Sequence, residues 1–420
     1  MKFPLLLSLF LFLTCSQFYS KTYFIDSDRG NDNNNGISDK TPYKSWAVMQ
    51  YTKLLPGDSV LFKKGSTWNE TISITASGNP NNPIVFSSYG TGELPTIDIR
   101  NLTADGISIN HSQDVIVDGF NVTNIGVENN NIYIANSRNC IARNCSLNIT
   151  GRAGFFLEKD VSCTVADNYL ITPAAMINNQ TDGIYAQRNK GNVYDGNTII
   201  DRNSSPEQHS DCIQLYLETD ATVKNNYLEQ RNENNGHAQG LYSTMPSGTH
   251  LYYNNVVFAP NTKAHLMAFL NMKKGNGKVK VFNNTLSGGF MNVFRTDTED
   301  PIVKNNIFVT TCKCSMVRFD TTLSGSADVN NNIYYSNSTK PLNFIGKEYT
   351  FKDWQSMGHE SEGKEGDPKL NKDFTLKSGS PCINAGSDLS IIFQDDKSGT
   401  QRLRKKKYDI GAYEFKGGVR

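Results

Sequence analysis

Lys224-Asn225-Asn226-Tyr227-Leu228 decides how the chain is read, because the phrase keeps returning. It is heard as Ala142-Arg143-Asn144-Cys145-Ser146-Leu147, Ala166-Asp167-Asn168-Tyr169-Leu170 and Asp195-Gly196-Asn197-Thr198-Ile199. Later copies are Tyr253-Asn254-Asn255-Val256, Phe282-Asn283-Asn284-Thr285, Lys304-Asn305-Asn306-Ile307 and Asn330-Asn331-Asn332-Ile333. The Asn falls at 144, 168, 197, 226, 255, 284, 306 and 332, at intervals of 24, 29, 29, 29, 29, 22 and 26 residues. A period in the twenties, carried by short alternating strands, predicts a solenoid of β-coils. Coils stack about 4.8 Å apart. An Asn at one corner of successive coils can hydrogen-bond along the stack and tolerates the left-handed backbone of a tight corner. The Leu framework of a leucine-rich repeat is missing.

A second strand precedes each phrase, as in Gly183-Ile184-Tyr185-Ala186, Ile213-Gln214-Leu215-Tyr216 and Gly240-Leu241-Tyr242. Alternation points Ile184, Ile213 and Leu241 inward and Tyr185, Gln214 and Tyr242 outward. An open β-stack would polymerise, so its ends need covers. Thr41 and Pro42, as N-cap and N1, predict a capping helix to about Leu54, closed by Pro56-Gly57-Asp58. The Asn phrases stop near residue 340, and a turn-rich tail with a short helix over Phe351 to Met357 reads as a C-terminal cap. The expected fold is therefore all-β, a parallel β-helix over 21–340 with an N-terminal capping helix, and an irregular cap over 341–420.

Of 420 residues, 37% are hydrophobic and 20% charged, which excludes a polytopic membrane protein and a wholly disordered chain. A net charge of +1 gives no global field for nucleic acid. Met1-Lys2 followed by the apolar run Phe3 to Leu13 reads as a signal peptide over 1–20 and a secreted protein, the run being too short to span a bilayer. Cys15 raises lipoprotein anchoring as the alternative, but Phe12-Leu13-Thr14 is a poor lipobox. The seven remaining cysteines are expected as buried thiols, with Cys140 and Cys163 on neighbouring turns. The coils should bury enough core for a monomer.

The chain resembles the right-handed parallel β-helix proteins, pectate-lyase-like, found among secreted bacterial carbohydrate-active enzymes. Tyr23-Phe24-Ile25-Asp26 with Gly30-Asn31-Asp32, Pro56-Gly57-Asp58-Ser59-Val60, Ser380-Pro381-Cys382-Ile383-Asn384-Ala385-Gly386 and Asp409-Ile410-Gly411-Ala412-Tyr413-Glu414 carry the resemblance. It covers nearly all of 21–415 and implies the fold more sharply than the reaction. Polysaccharide lyases, glycoside hydrolases, uronan epimerases and adhesins share it.

Polar residues concentrate on three consecutive coils. Counted back from the corner Asn, Asp182 and Asp211 lie 15 residues before it and Gln239 16; His209 lies 17 before and His237 18; Tyr185 and Gln214 lie 12 before and Tyr242 13. Three columns of outward groups are expected. A lone His is more often structural, and an Asp before Gly or Cys is as often a turn residue. Clustered, they suit acid–base work on an anionic polysaccharide: His209 or His237 as base, Asp211 orienting it, Tyr242 as acid and Asp182 beside them. Arg188, Lys273 and Arg295, with Lys274 and Arg318, would meet acidic sugars, and Tyr185, Gln214 and Gln239 would bind substrate. Close carboxylates could hold Ca²⁺; no other cofactor is indicated. A β-elimination lyase is the leading expectation, with a C5-epimerase using the same groups. Thr181-Asp182-Gly183, Asp211-Cys212 and Gly236-His237 also look like fragments of the polygalacturonase pattern, in which Asp182 and Asp211 would be paired carboxylates. Ser210 stands where that family has Asp, Ala238 replaces Gly, and Met272-Lys273-Lys274 replaces Arg-x-Lys. A non-catalytic glycan-binding protein is the third reading.

Overall fold

The corner Asn sets the architecture. In the computed structural model, Oδ1 of Asn197, Asn226, Asn255, Asn284, Asn306 and Asn332 each accepts both the backbone N–H and the side-chain Nδ2–H of the Asn one coil earlier, at 2.8–3.1 Å. The Nδ2 groups also reach backbone carbonyls, such as Asn226 to Tyr194 O at 2.9 Å. A buried amide ladder with its donors and acceptors paired stabilises each coil against the next. Its last acceptor is a carboxyl, Glu360, which meets Asn332 N at 3.1 Å and Asn332 Nδ2 at 2.6 Å.

Two details correct the expected corner. The left-handed residue is the one before the ladder Asn: Asn225, Asn254, Asn283, Asn305 and Asn331 have φ between 49° and 58°. Asn144 (φ 53°) belongs to that outer column, and Cys145 occupies the ladder position, its N–H bonded to Asn168 Oδ1 at 2.9 Å. The first interval is thus one residue shorter than the Asn count implied.

The model describes residues 20–417 except 100–101, 124, 127, 173–180, 203–208, 232–236, 261–264, 273–276, 289–291 and 403–406, and only the backbone of His237, 265–267 and 270–272. Three 12-stranded sheets run the length of the stack. All named pairings are parallel except Leu342–Phe344 with Lys347–Tyr349. The coils follow the right-handed sense that parallel crossovers take, so the chain is a right-handed parallel β-helix. Strands such as Thr222–Lys224 and Tyr227–Gln230 alternate buried and part-exposed residues. Their inner side chains, among them Val223, Leu228 and Ile213, join one continuous core.

The N-terminal cover is shorter than expected. Tyr43 is held in a bridge to Ile25, and Trp46–Tyr51 makes only a 3₁₀ segment preceded by Ser45, not Thr41. Its first N–H groups are bound from outside: Trp46 N by Glu70 Oε1 at 2.8 Å and Ala47 N by Glu70 Oε2 at 3.2 Å. Trp46 and Met49 enter the core. At the other end the coil continues past 340 through Leu342–Phe344 and Lys364–Glu365, and Phe351–Ser356 forms a helix with a Thr350–Asp353 capping box.

The tail is not a lid on the end. It returns along the wall beside the left-handed corners. Asn283 Nδ2 donates to Asp409 O and Gly411 O at 2.7 and 3.0 Å, Asn305 Nδ2 to Ser387 O at 2.9 Å, and Phe393 stacks on Tyr253 at 4.6 Å. Fully buried Arg402 locks it, with Nη1 on Glu414 Oε1 and Nη2 on Asn254 Oδ1, both at 2.8 Å. Cys140, Cys145, Cys163, Cys212 and Cys382 are buried free thiols, and Cys140 N–H points at Cys163 Sγ, 3.4 Å away on the next coil.

Candidate functional site

Asp182–Gln187, His209–Tyr216 and His237–Thr244 are neighbours in one sheet. Register pairs His209 with His237, Asp211 with Gln239, Tyr185 with Gln214, and Gln214 with Tyr242, so the expected columns form. His265 pairs with His237 and extends the first column, a register hidden in the sequence by the insertion after it. The His237 side chain and all of Lys273 lie outside the described residues.

Alternation breaks in the middle of these strands. Cys212 and Ile213 both belong to the core, so the chain bends there. Gly183 occupies the matching position one coil earlier, where a Cβ would lie 2.5 Å from Cys212 O. The bend sends Asp211 away from the core, toward His209. It also brings the His209 ring within 5.4 Å of the Tyr242 ring, although the two are five register positions apart.

Asp182 and Asp211 stand in the expected column but are closed off from solvent, at 2% and 0% exposed. Instead of facing outward freely, each turns along the stack. Asp182 Oδ1 accepts Asp211 N–H at 2.9 Å, and Asp211 Oδ1 accepts Gln239 N–H at 2.7 Å. Asp211 Oδ2 lies 3.1 Å from Nδ1 of His209, whose side chain is 34% exposed. Burial alone would push the imidazole pKa down; the Asp211 carboxylate reverses this, with help from Asp182 and the Gln239 side chain, and holds it at about 9. Burial drives Asp182 well above the carboxylate range, aided by the charge of Asp211. Burial also raises Asp211, and His209 limits the rise. The three groups titrate as one coupled cluster in which the imidazolium is favoured by the Asp211 charge and the Asp182 proton by burial. Burial raises the Tyr242 phenol, which keeps its proton.

The other expected residues separate from this group. Arg188 lies beyond the far end of its strand, half exposed, 3.9 Å from Glu158. Tyr185 has one ring face against Phe156 (5.2 Å, 16°), with Arg152 5.4 Å away, so it is not an open platform. Arg295 sits three strands along the sheet, its Nε on Asp320 Oδ2 at 2.6 Å. Arg152 and Asp320 carried no signal of their own, since neither belongs to the repeated phrase. A buried corner network was missed as well. Asp201 accepts from Ser210 Oγ, from Gln230 Nε2 at 2.7 Å and from Thr172 Oγ1 at 2.8 Å, placing Ser210 inside the coil and away from Asp211. No group of three or more His, Cys, Asp or Glu side chains among the described residues is arranged to hold a metal ion.

No protein-family model matches the chain. Lacto-N-biosidase of Bifidobacterium longum subsp. longum is 40% identical over 77 residues, a stretch that is 17% of this chain and 5% of that enzyme. Among solved structures, pectate lyase Pel9A matches with a TM-score of 0.55 at 17% identity, over 94% of this chain and 96% of its own. XylC, in complex with xylose, matches with a TM-score of 0.57 at 10% identity, over 94% and 98%. These likenesses establish the β-helix fold. No helix among the described residues is long and apolar enough to cross a membrane.

Proposed function

We propose that this chain is a secreted polysaccharide-active enzyme that cleaves a uronate-containing glycan by β-elimination. The observation that carries the reading is the Asp211–His209 pair, a buried carboxylate behind a part-exposed imidazole, edge-on to Tyr242. Asp211 holds Nδ1, so proton exchange with substrate runs through Nε2. Neutral His209 takes the proton at C5; electrons move from that C–H bond into the new C=C bond as the glycosidic C–O bond breaks. Tyr242, still carrying its proton, protonates the leaving oxygen. The sugar carboxylate beside C5 requires a positive group to neutralise it in the transition state. Because His209 titrates at about 9, the rate should climb with pH up to that region.

The mature protein incubated with polygalacturonate, alginate, hyaluronan and chondroitin should raise both ultraviolet absorbance of the C=C bond and reducing ends. His209→Ala should lower both at least about a hundredfold, the scale of one acid–base group. Full activity in that variant would remove His209 from the mechanism. The 77-residue likeness to lacto-N-biosidase favours a second reading, a glycoside hydrolase, which would release reducing ends without the absorbance.

A further inference from the structure

Beyond Tyr242, the outer column of the same sheet continues through Leu270 to Arg295 and then Arg318, each paired in register with the one before. Asp320 ties the two arginines together. Its Oδ2 takes Arg295 Nε at 2.6 Å and its Oδ1 takes Arg318 Nε at 2.5 Å. Neither guanidinium makes another hydrogen bond among the described residues. The side chains are 24% and 33% exposed, and Asp320 is 16% exposed. Two cations fixed by one carboxylate leave a net positive charge, and the Nη donors of both forks make no hydrogen bond among the described residues. Such an arrangement is preorganised, because the long side chains are already immobilised before an anion arrives. A mere surface ion pair would need only one arginine per carboxylate.

We propose that Arg295 and Arg318, clamped by Asp320, form a subsite for an anionic group of the glycan, a carboxylate or a sulfate ester. It lies two and three coils beyond Tyr242, roughly 10–14 Å at the usual strand spacing. The subsite rests on the glycan reading above and deepens it. The chain selects polymers carrying charge several sugar units from the His209 centre, not only at the bond that is cut. Planar guanidinium forks hydrogen-bond the oxygens of a carboxylate or sulfate, which a neutral hydroxyl cannot replace.

The test is affinity electrophoresis in gels containing polygalacturonate, carboxyl-reduced polygalacturonate or dextran sulfate. The parent is His209→Ala, so that nothing is degraded. Arg295→Gln with Arg318→Gln should weaken binding of one or both charged polymers by about tenfold or more. Retardation by the reduced polymer should not change. Arg295→Lys with Arg318→Lys, which keeps the charge but loses the forks, should fall between. Loss confined to dextran sulfate names sulfate as the ligand; loss confined to polygalacturonate names carboxylate. If parent and double-Gln variant bind every polymer equally, or the parent binds neither charged polymer, the subsite is refuted. A wild type that releases neither C=C bonds nor reducing ends, yet shows the arginine-dependent charge preference, would refute the enzyme reading and leave the subsite standing.

Discussion

A carboxylate with no access to water and an imidazole with partial access hold each other's charge, and the Asp211–His209 contact has that form. The sign follows from the partner. The folded imidazole titrates at about 9, above its ordinary 6.5, so its stabilising charge is fully present below 6.5 and is lost as pH rises through 9. Asp211→Asn removes the charge that offsets burial. The His209 midpoint, followed by NMR of the ring, should then drop by at least about one unit, and the limb of the rate profile should move down with it. An unchanged midpoint would mean that Asp211 does not set the imidazole. The partnership of Asp211 with an imidazole was expected from their clustering; that His209 is the one it meets, and the burial of Asp182, were not legible in the spacing. A column position states which residues share a wall; it does not state how each carboxylate turns along it.

The unit of stability is the ladder between coils. Asn226→Ala leaves the N–H and Nδ2–H of Asn197 without their buried acceptor and should cost about 3 kcal/mol or more, read as a lower urea midpoint. A parallel stack on another corner ends in a carboxyl as well. Glu218 Oε1 accepts Asn189 N and Nδ2 at 3.1 and 2.7 Å, and burial pushes Glu218 up to about 8. Below pH 4.5 the folded and unfolded chains both keep that proton. Between 4.5 and 8 the unfolded chain releases it while the fold retains it, so stability declines across that window, by about 5 kcal/mol at most. Glu218→Gln keeps the acceptor and should flatten this part of the stability–pH curve. A slope as steep as the parent's would show that Glu218 is not the titrating group. The Asn periodicity announced the first ladder because one residue type repeats. The second mixes Asp160, Asn189 and Glu218, so no phrase marks it.

Across the whole molecule, the C-terminal segment is a strap along the wall, and Arg402 is its lock. Arg402→Met leaves Glu414 buried without its partner, a change that costs about 3–5 kcal/mol for a buried pair. The expected outcome is faster proteolysis within 367–417 while the coils, followed by far-ultraviolet circular dichroism, stay folded. Equal protection of variant and parent would refute the lock. The tail motif was readable as a distinct segment. Its place was not, since Asn254 and Arg402 meet across 148 residues.

Residue order alone specifies the coil period, the alternation of inner and outer side chains, the recurrence of Asn along one edge, and the membership of the columns. Parallel coils repeat the same environment at the same step, so a local pattern is enough to specify them. Packing between distant parts of the chain sets the bend at Cys212 and Ile213, the approach of His209 to Tyr242, the exclusion of Asp182 and Asp211 from water, and the return of the tail along the wall. Those outcomes depend on where coils of unequal length turn and on what each buried polar atom finds as a partner, and neither is written in the spacing of residue types.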